Sequence, residues 1–308
     1  MFHIAAFYHF VHIDDVNGLR TRLQKVCLQN DVKGTILLSS EGINGTIAGE
    51  GDGVNAVLSS IIEQPGLANL VAKRATAESD PFYRLKVRAK REIVALGVGD
   101  VDSVAHTGTH VPASGWNALI SDPDTIVIDT RNDYEVAIGT FKGAVNPMTR
   151  SFGEFPAWVE DHPELRDKRL AMFCTGGIRC EKATAYLRES GFDEVYQLEG
   201  GILTYLETEN EATSLWSGEC YVFDRRVSVG HGLVPGDLEV CPGCNQVIGD
   251  TDRQLEGYRR GVCCHGCEDE LTPERESRFA ERQHQIELAE KRGKTHLGQP
   301  FAEKTTGS

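Results

Sequence analysis

Leu170-Ala171-Met172-Phe173-Cys174-Thr175-Gly176-Gly177-Ile178-Arg179-Cys180 is an apolar run that leads into a loop with two adjacent glycines. The apolar run predicts a buried strand, and the residues after the loop show helical spacing as far as Gly191. Cys174 therefore lies at the carboxyl end of a strand, which is where open α/β sheets place their chemistry. We expect an α/β domain built around this strand, loop and helix.

The loop has the composition of a thiolate site. Adjacent glycines let several backbone N–H groups point towards the Cys174 sulfur. The positive end of the following helix and the charge of Arg179 both favour the thiolate, which is the form that attacks electrophiles. We predict that Cys174 and Arg179 are catalytic residues, and that the active-site loop between them comprises Thr175, Gly176, Gly177 and Ile178. The alternative is a buried cysteine in an ordinary strand-to-helix turn.

Composition limits the classes of function. The chain has 308 residues, 40% of them hydrophobic, and a formal net charge of −14, which suits a soluble globular protein of two or three domains. The negative charge argues against indiscriminate nucleic-acid binding. No apolar run approaches the ~20 residues that span a bilayer, and the first residues lack the features of a signal peptide. Five of the nine cysteines lie between Cys241 and Cys267, which favours metal or thiol chemistry in a reducing cytoplasm over a disulfide framework.

Residues 1–97 predict a ferredoxin-like α+β domain with the order βαββαβ. A strand, a helix and two short strands that flank Glu41-Gly42-Ile43-Asn44 are followed by a second helix. The last strand region of this domain runs from Phe82 to Leu96.

That last strand region carries an alternating pattern of cations. Apolar residues separate Arg84, Lys86, Arg88 and Lys90, and the two-residue period of a strand puts all four cations on one face. On an acidic protein, such a stripe indicates binding of a polyanion such as RNA. The alternative is a solvated strand face whose charge is offset by neighbouring carboxylates.

Residues 98–117 are interrupted by glycine and proline and predict a linker, whereas residues 118–212 alternate strands with helices. Asp129 ends a continuous apolar strand of the kind found inside parallel sheets, and Arg131 follows two residues later. We expect both residues to support the site, at least one of them through a structural ion pair.

The central residues resemble a rhodanese domain. The resemblance rests on Asp129-x-Arg131, Gly143-Ala144-x-Asn146, the Cys174 loop and Leu198-x-Gly200-Gly201. In that family the loop cysteine carries a persulfide or another covalent sulfur intermediate. Phosphatases that share the fold use Cys-x5-Arg, whereas only four residues separate Cys174 from Arg179, which suits a single sulfur atom or a small adduct. Gly139-Thr140 stands where rhodaneses have Gly-His, a departure that weakens the transfer of rhodanese substrate preference.

A narrower resemblance covers roughly residues 1 to 230. Cys174 to Lys182, Arg131-Asn132-x-Tyr134-Glu135, Glu41-Gly42-Ile43-Asn44 and Leu85-Lys86-Val87-Arg88 are similar to the bacterial rhodanese-domain tRNA uridine hydroxylases (the TrhO family). The resemblance implies an oxidoreductase of class EC 1.14 that uses molecular oxygen as co-substrate and forms 5-hydroxyuridine at the tRNA wobble position (34). It also implies that tRNA is the partner of the cationic strand. We expect neither DNA nor a membrane as a partner.

The C-terminal part predicts a metal site. Cys241-Pro-Gly-Cys244 and Cys264-His-Gly-Cys267 are two Cys-x2-Cys knuckles separated by nineteen residues, a spacing that suits four thiolates around a structural zinc ion. The alternative is a set of reduced, unligated thiols, and Cys263, His265 and Cys220 are spare ligands. We assign residues 213–272 to this cysteine-rich module and residues 273–308 to a charged helix with a disordered tail from Leu297 to Ser308.

Two chemical routes are open at Cys174. A thiolate that adds to C6 of uracil creates an enolate that is nucleophilic at C5, where it can meet an oxygen electrophile. A persulfide or an oxidised cysteine is the other route. Loop amides and Arg179 would stabilise the anion in either case. We expect Cys180 to pack in the core, with resolution of a Cys174 adduct as the alternative.

Two other functions fit parts of the chain. A rhodanese-type sulfurtransferase would carry a cysteine persulfide and would need a sulfur donor as a partner. An RNA-binding adaptor would combine the cationic strand and the cysteine knuckles with an inert rhodanese fold, but the intact pair Cys174 and Arg179 argues against it. No flavin, haem or iron-binding pattern is evident, so the sequence does not identify the electron donor for oxygen.

Overall fold

The computed structural model describes residues 1–99 and 101–292. Within them the chain forms an N-terminal α+β domain, a central α/β domain with a parallel sheet, and a C-terminal part with a cysteine cluster. The fold class predicted from the sequence is therefore confirmed. The predicted disordered tail from Leu297 to Ser308 lies outside the described residues. Among the described helices, none has the length and apolar character needed to cross a membrane.

The N-terminal domain is a five-stranded sheet with two helices packed on one face. Its elements are, in chain order, β1 (Phe2–Phe10), α1 (Val16–Gln29), β2 (Lys33–Ser39), β3 (Gly42–Gly49), α2 (Gly51–Ile62), β4 (Ala72–Ala77) and β5 (Leu85–Ala89). The strand order is β4-β1-β3-β2-β5, and β5 runs parallel to β2 whereas the other pairs are antiparallel. Asp15 caps α1 by accepting a hydrogen bond from the N–H of Gly18 at 2.8 Å.

The last strand of this domain differs from the prediction. The strand that completes the ferredoxin-like order is β4, which pairs antiparallel with β1, whereas the sequence predicts that role for residues 82–96. The sequence Ala-Lys-Arg-Ala-Thr-Ala of β4 lacks any large apolar residue, so its strand pattern is weak. Within residues 82–96 only Leu85–Ala89 is a strand, and it adds a fifth, parallel edge to the sheet.

The central domain has a parallel sheet of order β6-β10-β9-β7 with helices on both faces. Its elements are, in chain order, β6 (Thr109–Val111), α3 (Ala113–Ile120), β7 (Thr125–Asp129), α4 (Asp133–Val136), β8 (Gly139–Phe141), α5 (Phe155–Glu160), β9 (Arg169–Phe173), α6 (Ile178–Glu189), β10 (Val195–Leu198) and α7 (Gly201–Thr208). Along β9, Ala171 and Phe173 join the core under α3 and α7, while Leu170 and Met172 join the core under α5 and α6. Burial on both faces explains why this strand is a continuous apolar run.

Residues 98–117, which the sequence predicts as a linker, contain a strand and part of a helix. β6 pairs with β10, with His110 opposite Gln197, and α3 begins at Ala113. A strand of three residues is too short to show a two-residue period, and glycines on either side hide it further. This edge strand brings residues of the predicted linker close to α6.

The C-terminal part is made of short elements. They are, in chain order, β11 (Trp216–Gly218), β12 (Cys220–Tyr221), β13 (Ser228–Val229), β14 (Glu239–Val240), β15 (Val247–Ile248), α8 (Asp250–Arg253) and α9 (Pro273–Lys291). β11 pairs with β8 of the central domain, and β14 and β15 form a hairpin. α9 is the charged helix expected from the sequence, and its Phe279 is buried against the cysteine cluster.

Candidate active site

The Cys174 loop joins the end of β9 to the start of α6 at the carboxyl edge of the parallel sheet. The side chain of Cys174 is fully buried, and the N–H of Gly177 donates a hydrogen bond to its sulfur at 3.2 Å. Gly177 has a φ of 104°, a conformation that L side chains rarely adopt, so glycine is required there. The strand–loop–helix geometry predicted from the sequence is therefore present.

The surroundings of Cys174 stabilise its thiolate. Burial alone would raise the pKa of this thiol, but hydrogen bonds from the thiol and N–H of Cys180, the charge of Arg179 and the N–H of Gly177 outweigh burial. Together they lower the pKa of Cys174 to about 5. At neutral pH the sulfur is therefore ionised and nucleophilic.

Arg179 is held by a carboxylate that the sequence reasoning did not select. Nη1 and Nη2 of Arg179 donate to Glu135 at 2.6 and 2.7 Å, and Nη2 also approaches the hydroxyl of Thr175 at 3.3 Å. Burial opposes the ionisation of Glu135, but the charge and hydrogen bonds of Arg179 hold the pKa of Glu135 below its ordinary value. The pair fixes the guanidinium beside the loop, where its charge acts on Cys174.

Asp129 and Arg131 form a fully buried ion pair behind this arrangement. Nε and Nη2 of Arg131 donate to the two oxygens of Asp129 at 2.9 and 2.6 Å. Nη1 of Arg131 also donates to the backbone oxygen of Glu135 at 3.2 Å, and Thr140 donates to Asp129 at 2.8 Å. The pair thus anchors α4, the helix that carries Glu135. Thr140, which stands where rhodaneses have histidine, serves this ion pair.

The start of α7 closes the loop from the opposite side. The N–H groups of Ile202 and Leu203 donate to the backbone oxygens of Cys174 and Thr175 at 3.0 and 3.1 Å. A Cβ atom at Gly201 would lie 2.5 Å from the oxygen of Cys174, so the close approach requires glycine. This contact accounts for the second of the two glycines after β10.

Cys180 lies inside the core, next to Cys174. Its side chain is fully buried, and its sulfur is 3.6 Å from the hydroxyl of Thr130. Burial, and then the hydrogen bond and charge of Cys174, raise the pKa of Cys180 well above its ordinary value. Cys180 is therefore a neutral thiol that donates to the Cys174 thiolate.

Two side chains of the N-terminal domain reach the loop. A Cβ atom placed on Gly177 would lie 2.8 Å from the hydroxyl of Tyr8, and Lys73 donates to the backbone oxygens of Gly176, at 3.4 Å, and Gly200. Burial lowers the pKa of Lys73 to about 8, although the negative charge of Cys174 acts in the opposite direction. The site is consequently shared between two domains.

A buried lysine joins the same two domains. Lys182, near the start of α6, is 1% exposed and contacts Glu41 and Glu92 at 2.8 and 2.5 Å. Glu41 also accepts a hydrogen bond from the N–H of Ile93 at 2.6 Å. Glu41 and Lys182 belong to the two motifs that the sequence analysis found far apart in the chain, so the motifs meet at this contact.

Sequence reasoning did not select Tyr8, Lys73, Glu135 or Glu181 as site residues. Glu135 carried a local signal, since Asn132 and Glu135 form a capping box at the start of α4. Tyr8 and Lys73 carried none, because a strand pattern shows which face a residue occupies but not which domain that face meets.

The four predicted RNA-binding cations lie along the outer edge of the N-terminal sheet. Lys86 and Arg88 are on β5, and Arg84 and Lys90 flank it. Arg84, Arg88 and Lys90 are exposed, and Lys86 is half-buried. Within the described part of the chain none of the four has a carboxylate partner within 4.0 Å. The stripe therefore presents unpaired positive charge at a sheet edge.

The four predicted metal ligands meet in one cluster. The sulfur atoms of Cys241, Cys244, Cys264 and Cys267 all lie within 4.8 Å of one another, with pairs at 3.6, 3.7 and 3.8 Å. Four thiolates at about 2.3 Å from a tetrahedral zinc ion would be separated by about 3.8 Å. Cys263 instead donates to the oxygen of Gly257 at 3.4 Å, outside the cluster. The cluster fits a metal ion of the size and geometry of zinc.

Comparisons with known proteins cover nearly the whole chain. The family model described as UPF0176 acylphosphatase like domain matches residues 2–93, and the model described as Rhodanese-like domain matches residues 113–208. The protein named tRNA uridine(34) hydroxylase from Agrobacterium fabrum is 55% identical over 96% of this chain and 95% of its own length. Proteins of the same name from Teredinibacter turnerae and Acaryochloris marina are 53% and 50% identical, over 96% and 98% of this chain and 92% and 98% of theirs.

Proposed function

Because this chain belongs to the family of the tRNA uridine(34) hydroxylases, we propose that it hydroxylates uridine 34 of tRNA with Cys174 as the reactive residue. The observation that carries the role of Cys174 is its thiolate, which the loop stabilises to a pKa of about 5. Carbon C5 of uracil is a poor nucleophile until a base or nucleophile supplies electron density. A thiolate in a loop that two domains contact can supply it.

In the first route, the Cys174 thiolate adds to C6 of uracil and forms a carbon–sulfur bond. The electrons of the C5–C6 double bond move towards C5 and O4, and C5 attacks an electrophilic oxygen derived from molecular oxygen. Loss of the proton on C5 and departure of the thiolate then restore the ring. In the second route, a persulfide or oxidised Cys174 carries the reactive atom, and the same loop stabilises its anion.

The loop contributes to either route through charge. The N–H of Gly177 and the guanidinium of Arg179 stabilise negative charge on the sulfur, and Glu135 keeps that guanidinium in place. Preorganised donors of this kind need no rearrangement when the charge returns to the sulfur. Arg179 thus acts on Cys174 as a fixed charge.

Molecular oxygen is the proposed co-substrate, which would place the enzyme in class EC 1.14. Forming one hydroxyl group from dioxygen consumes two electrons, and a separate reductant supplies them in this proposal. The activity belongs in the cytoplasm, where its tRNA substrate resides.

The other parts of the chain have proposed roles in binding and stability. The unpaired cations of β5 support contact with tRNA phosphates, because phosphate contacts dominate the affinity of such complexes. The cysteine cluster would hold a structural zinc ion, since four thiolates leave no open coordination position for a substrate.

The test uses nucleosides from cells. A strain that lacks this chain is complemented with the wild type, Cys174→Ser or Cys27→Ala, and its tRNA nucleosides are measured by mass spectrometry under ¹⁸O-labelled oxygen. Cys27 is a buried cysteine of the N-terminal core and controls for the loss of a thiol as such. We expect labelled 5-hydroxyuridine with the wild type and Cys27→Ala and none with Cys174→Ser.

The same measurement tests the sulfurtransferase alternative, which the rhodanese-type loop favours. Loss of a thiolated nucleoside in the deletion strain, with 5-hydroxyuridine unchanged, would support sulfur transfer. Normal 5-hydroxyuridine in the Cys174→Ser strain would contradict the proposed role of Cys174.

A further inference from the structure

The N-terminal domain places a phenol against the Cys174 loop. The hydroxyl of Tyr8 lies over Gly177, the residue that donates its N–H to the Cys174 sulfur. Burial, together with the negative charges of Glu181 and Cys174, raises the pKa of Tyr8 well above its ordinary value. Tyr8 is therefore a neutral phenol beside a thiolate.

Glu181 connects this phenol to the protein surface. Tyr8 donates to Oε1 of Glu181 at 3.1 Å, and Nε2 of His110 lies 3.0 Å from the same oxygen. The other oxygen accepts from Thr107 at 2.6 Å and from Gln197 at 2.8 Å. Burial opposes the ionisation of Glu181, but its hydrogen bonds hold its pKa below the ordinary value. One carboxylate oxygen thus bridges Tyr8 and His110.

His110 is the solvent end of this connection. Its side chain is 39% exposed, compared with 13% for Glu181. The amide nitrogen of Gln197 lies 2.6 Å from Nε2. In the neutral tautomer that carries its proton on Nδ1, Nε2 accepts from this amide, whereas the protonated ring donates from Nε2 to Glu181. The hydrogen bond to Glu181 raises the pKa of His110, and the charge of Glu199 acts in the same direction. The ring therefore has a high affinity for an incoming proton.

We propose that Tyr8, Glu181 and His110 form a path that carries the C5 proton of uridine from the Cys174 loop to solvent. The proposal rests on the proposed hydroxylation, in which the hydrogen on C5 must leave when a hydroxyl group replaces it. This holds whichever group the sulfur carries. Tyr8 is then a catalytic residue supplied by the N-terminal domain, and Glu181 and His110 act through it.

The path transfers one proton from C5 to solvent in each turnover. The oxygen of Tyr8 accepts the proton from C5, while the electron pair of the C–H bond restores the double bond of the ring. The hydroxyl proton of Tyr8 passes to Glu181, and Glu181 passes a proton to neutral His110. His110 releases it to water, so all three residues return to their starting states.

The chain offers a matched control for this path. His106 pairs with Glu189 at 3.0 Å, in the same kind of contact, and its side chain is 54% exposed. Glu189 otherwise accepts a hydrogen bond from the N–H of Asp102 at 3.1 Å. This second histidine–glutamate pair leads to a surface loop, whereas the pair of His110 and Glu181 leads to Tyr8.

The test is a pH profile of single-turnover hydroxylation by the full-length chain, on tRNA, from about pH 6 to about pH 9, a range in which Cys174 stays ionised. Extract from a strain that lacks the chain supplies the electrons. The wild-type rate should fall as the pH drops, because protonated His110 cannot accept a further proton. His110→Gln should lose this dependence and react about tenfold more slowly, and imidazole should restore the rate of His110→Gly. His106→Gln should keep the wild-type profile.

Tyr8→Phe tests the inner end of the path. We expect kcat to fall about 100-fold with an unchanged KM for tRNA, because the hydroxyl is removed and the ring remains. Alkylation of Cys174 by iodoacetamide in each variant checks that the loop is intact. The path is overturned if Tyr8→Phe and His110→Gln form 5-hydroxyuridine with the wild-type rate and profile. A wild-type chain that forms none overturns the proposed function instead.

Discussion

Glu135 accepts hydrogen bonds from both Nη atoms of Arg179, at 2.6 and 2.7 Å. Although Glu135 lies 44 positions earlier in the chain, it thereby fixes the charge that acts on Cys174. Both side chains are buried. Removing one partner of such a pair leaves an uncompensated charge in the core, which typically costs about 3–5 kcal/mol of stability.

Glu135→Gln should therefore lower the free energy of unfolding by about 3–5 kcal/mol, measured by urea denaturation. Asp122→Asn is the control, since it breaks the contact of Asp122 with Arg169, a partly exposed pair at 2.7 Å. That change should cost no more than about 1 kcal/mol. Equal losses for the two variants would contradict the anchoring role of Glu135.

The rate of Cys174 alkylation by iodoacetamide should follow the thiolate and rise with pH around a midpoint near 5, the pKa of Cys174. Cys180→Ala removes the thiol that donates to the Cys174 sulfur and should raise the midpoint by about one unit, the effect of a hydrogen bond worth about 1.4 kcal/mol. Cys27→Ala serves as the control with an unchanged midpoint. A midpoint near that of a free thiol would contradict the assignment of Cys174 as a thiolate.

Full hydroxylation by Cys180→Ala would exclude a resolving role for Cys180.

The same thiolate links stability to pH. The folded chain holds the pKa of Cys174 at about 5, below the value of about 8.5 for an unfolded thiol. The thiolate therefore contributes stability that is complete above the unfolded pKa and is lost as the pH falls towards 5. Between about pH 5 and about pH 8.5, the unfolding free energy of the wild type should decline with falling pH more steeply than that of Cys174→Ala. Parallel curves would contradict this linkage.

Reversing charge on the β5 stripe should weaken tRNA binding. Lys86→Glu and Arg88→Glu should raise the dissociation constant and reduce the dependence of log K on log salt by about one for each phosphate that the variant no longer neutralises. Lys168→Glu is the control, because it changes the net charge by the same amount at an exposed site. Lys168 lies just before β9, whereas the Cys174 loop follows the other end of that strand. Filter binding at several salt concentrations measures the dissociation constant and its salt dependence for each variant. Equal effects of the stripe and control variants would show that only net charge matters.

The purified full-length chain should contain one zinc ion, measured by elemental mass spectrometry. Cys244→Ser should lose the metal, because the cluster needs all four sulfurs, and the C-terminal part should become sensitive to protease, since zinc binding supplies folding energy to such small modules. Cys263→Ser should retain it, because Cys263 points to Gly257 instead. Zinc retained by Cys244→Ser but lost from Cys263→Ser would reverse the ligand assignment.

What the sequence predicts well in this chain is local. The strand, the paired glycines and Arg179 lie within a few residues of Cys174, and Cys241 and Cys244 are close enough for spacing alone to bring their sulfurs together. Contacts between distant segments are harder to predict from the sequence. The strand β4 escaped prediction because small and charged side chains suffice at a sheet edge.

Tyr8 shows most clearly what a local sequence pattern does not predict. Its place in β1 is readable from the strand pattern, but its role depends on how the N-terminal sheet meets α6. Lys182 joins that sheet to α6 through Glu41 and Glu92. The motifs that contain Glu41 and Lys182 do not show that these two residues form a pair.

The start of α6 also constrains insertions and deletions. Arg179, Cys180, Glu181 and Lys182 are consecutive, and each contacts a different group: Glu135, the Cys174 sulfur, Tyr8 and the pair of Glu41 and Glu92. Successive residues of a helix are rotated by about 100°, so an added residue that shifted the start of α6 would turn all four side chains away from their partners together. A five-residue loop of the phosphatase kind keeps the domain contacts only if the loop itself absorbs the extra residue. The contact with the N-terminal domain therefore constrains the length of the Cys174 loop.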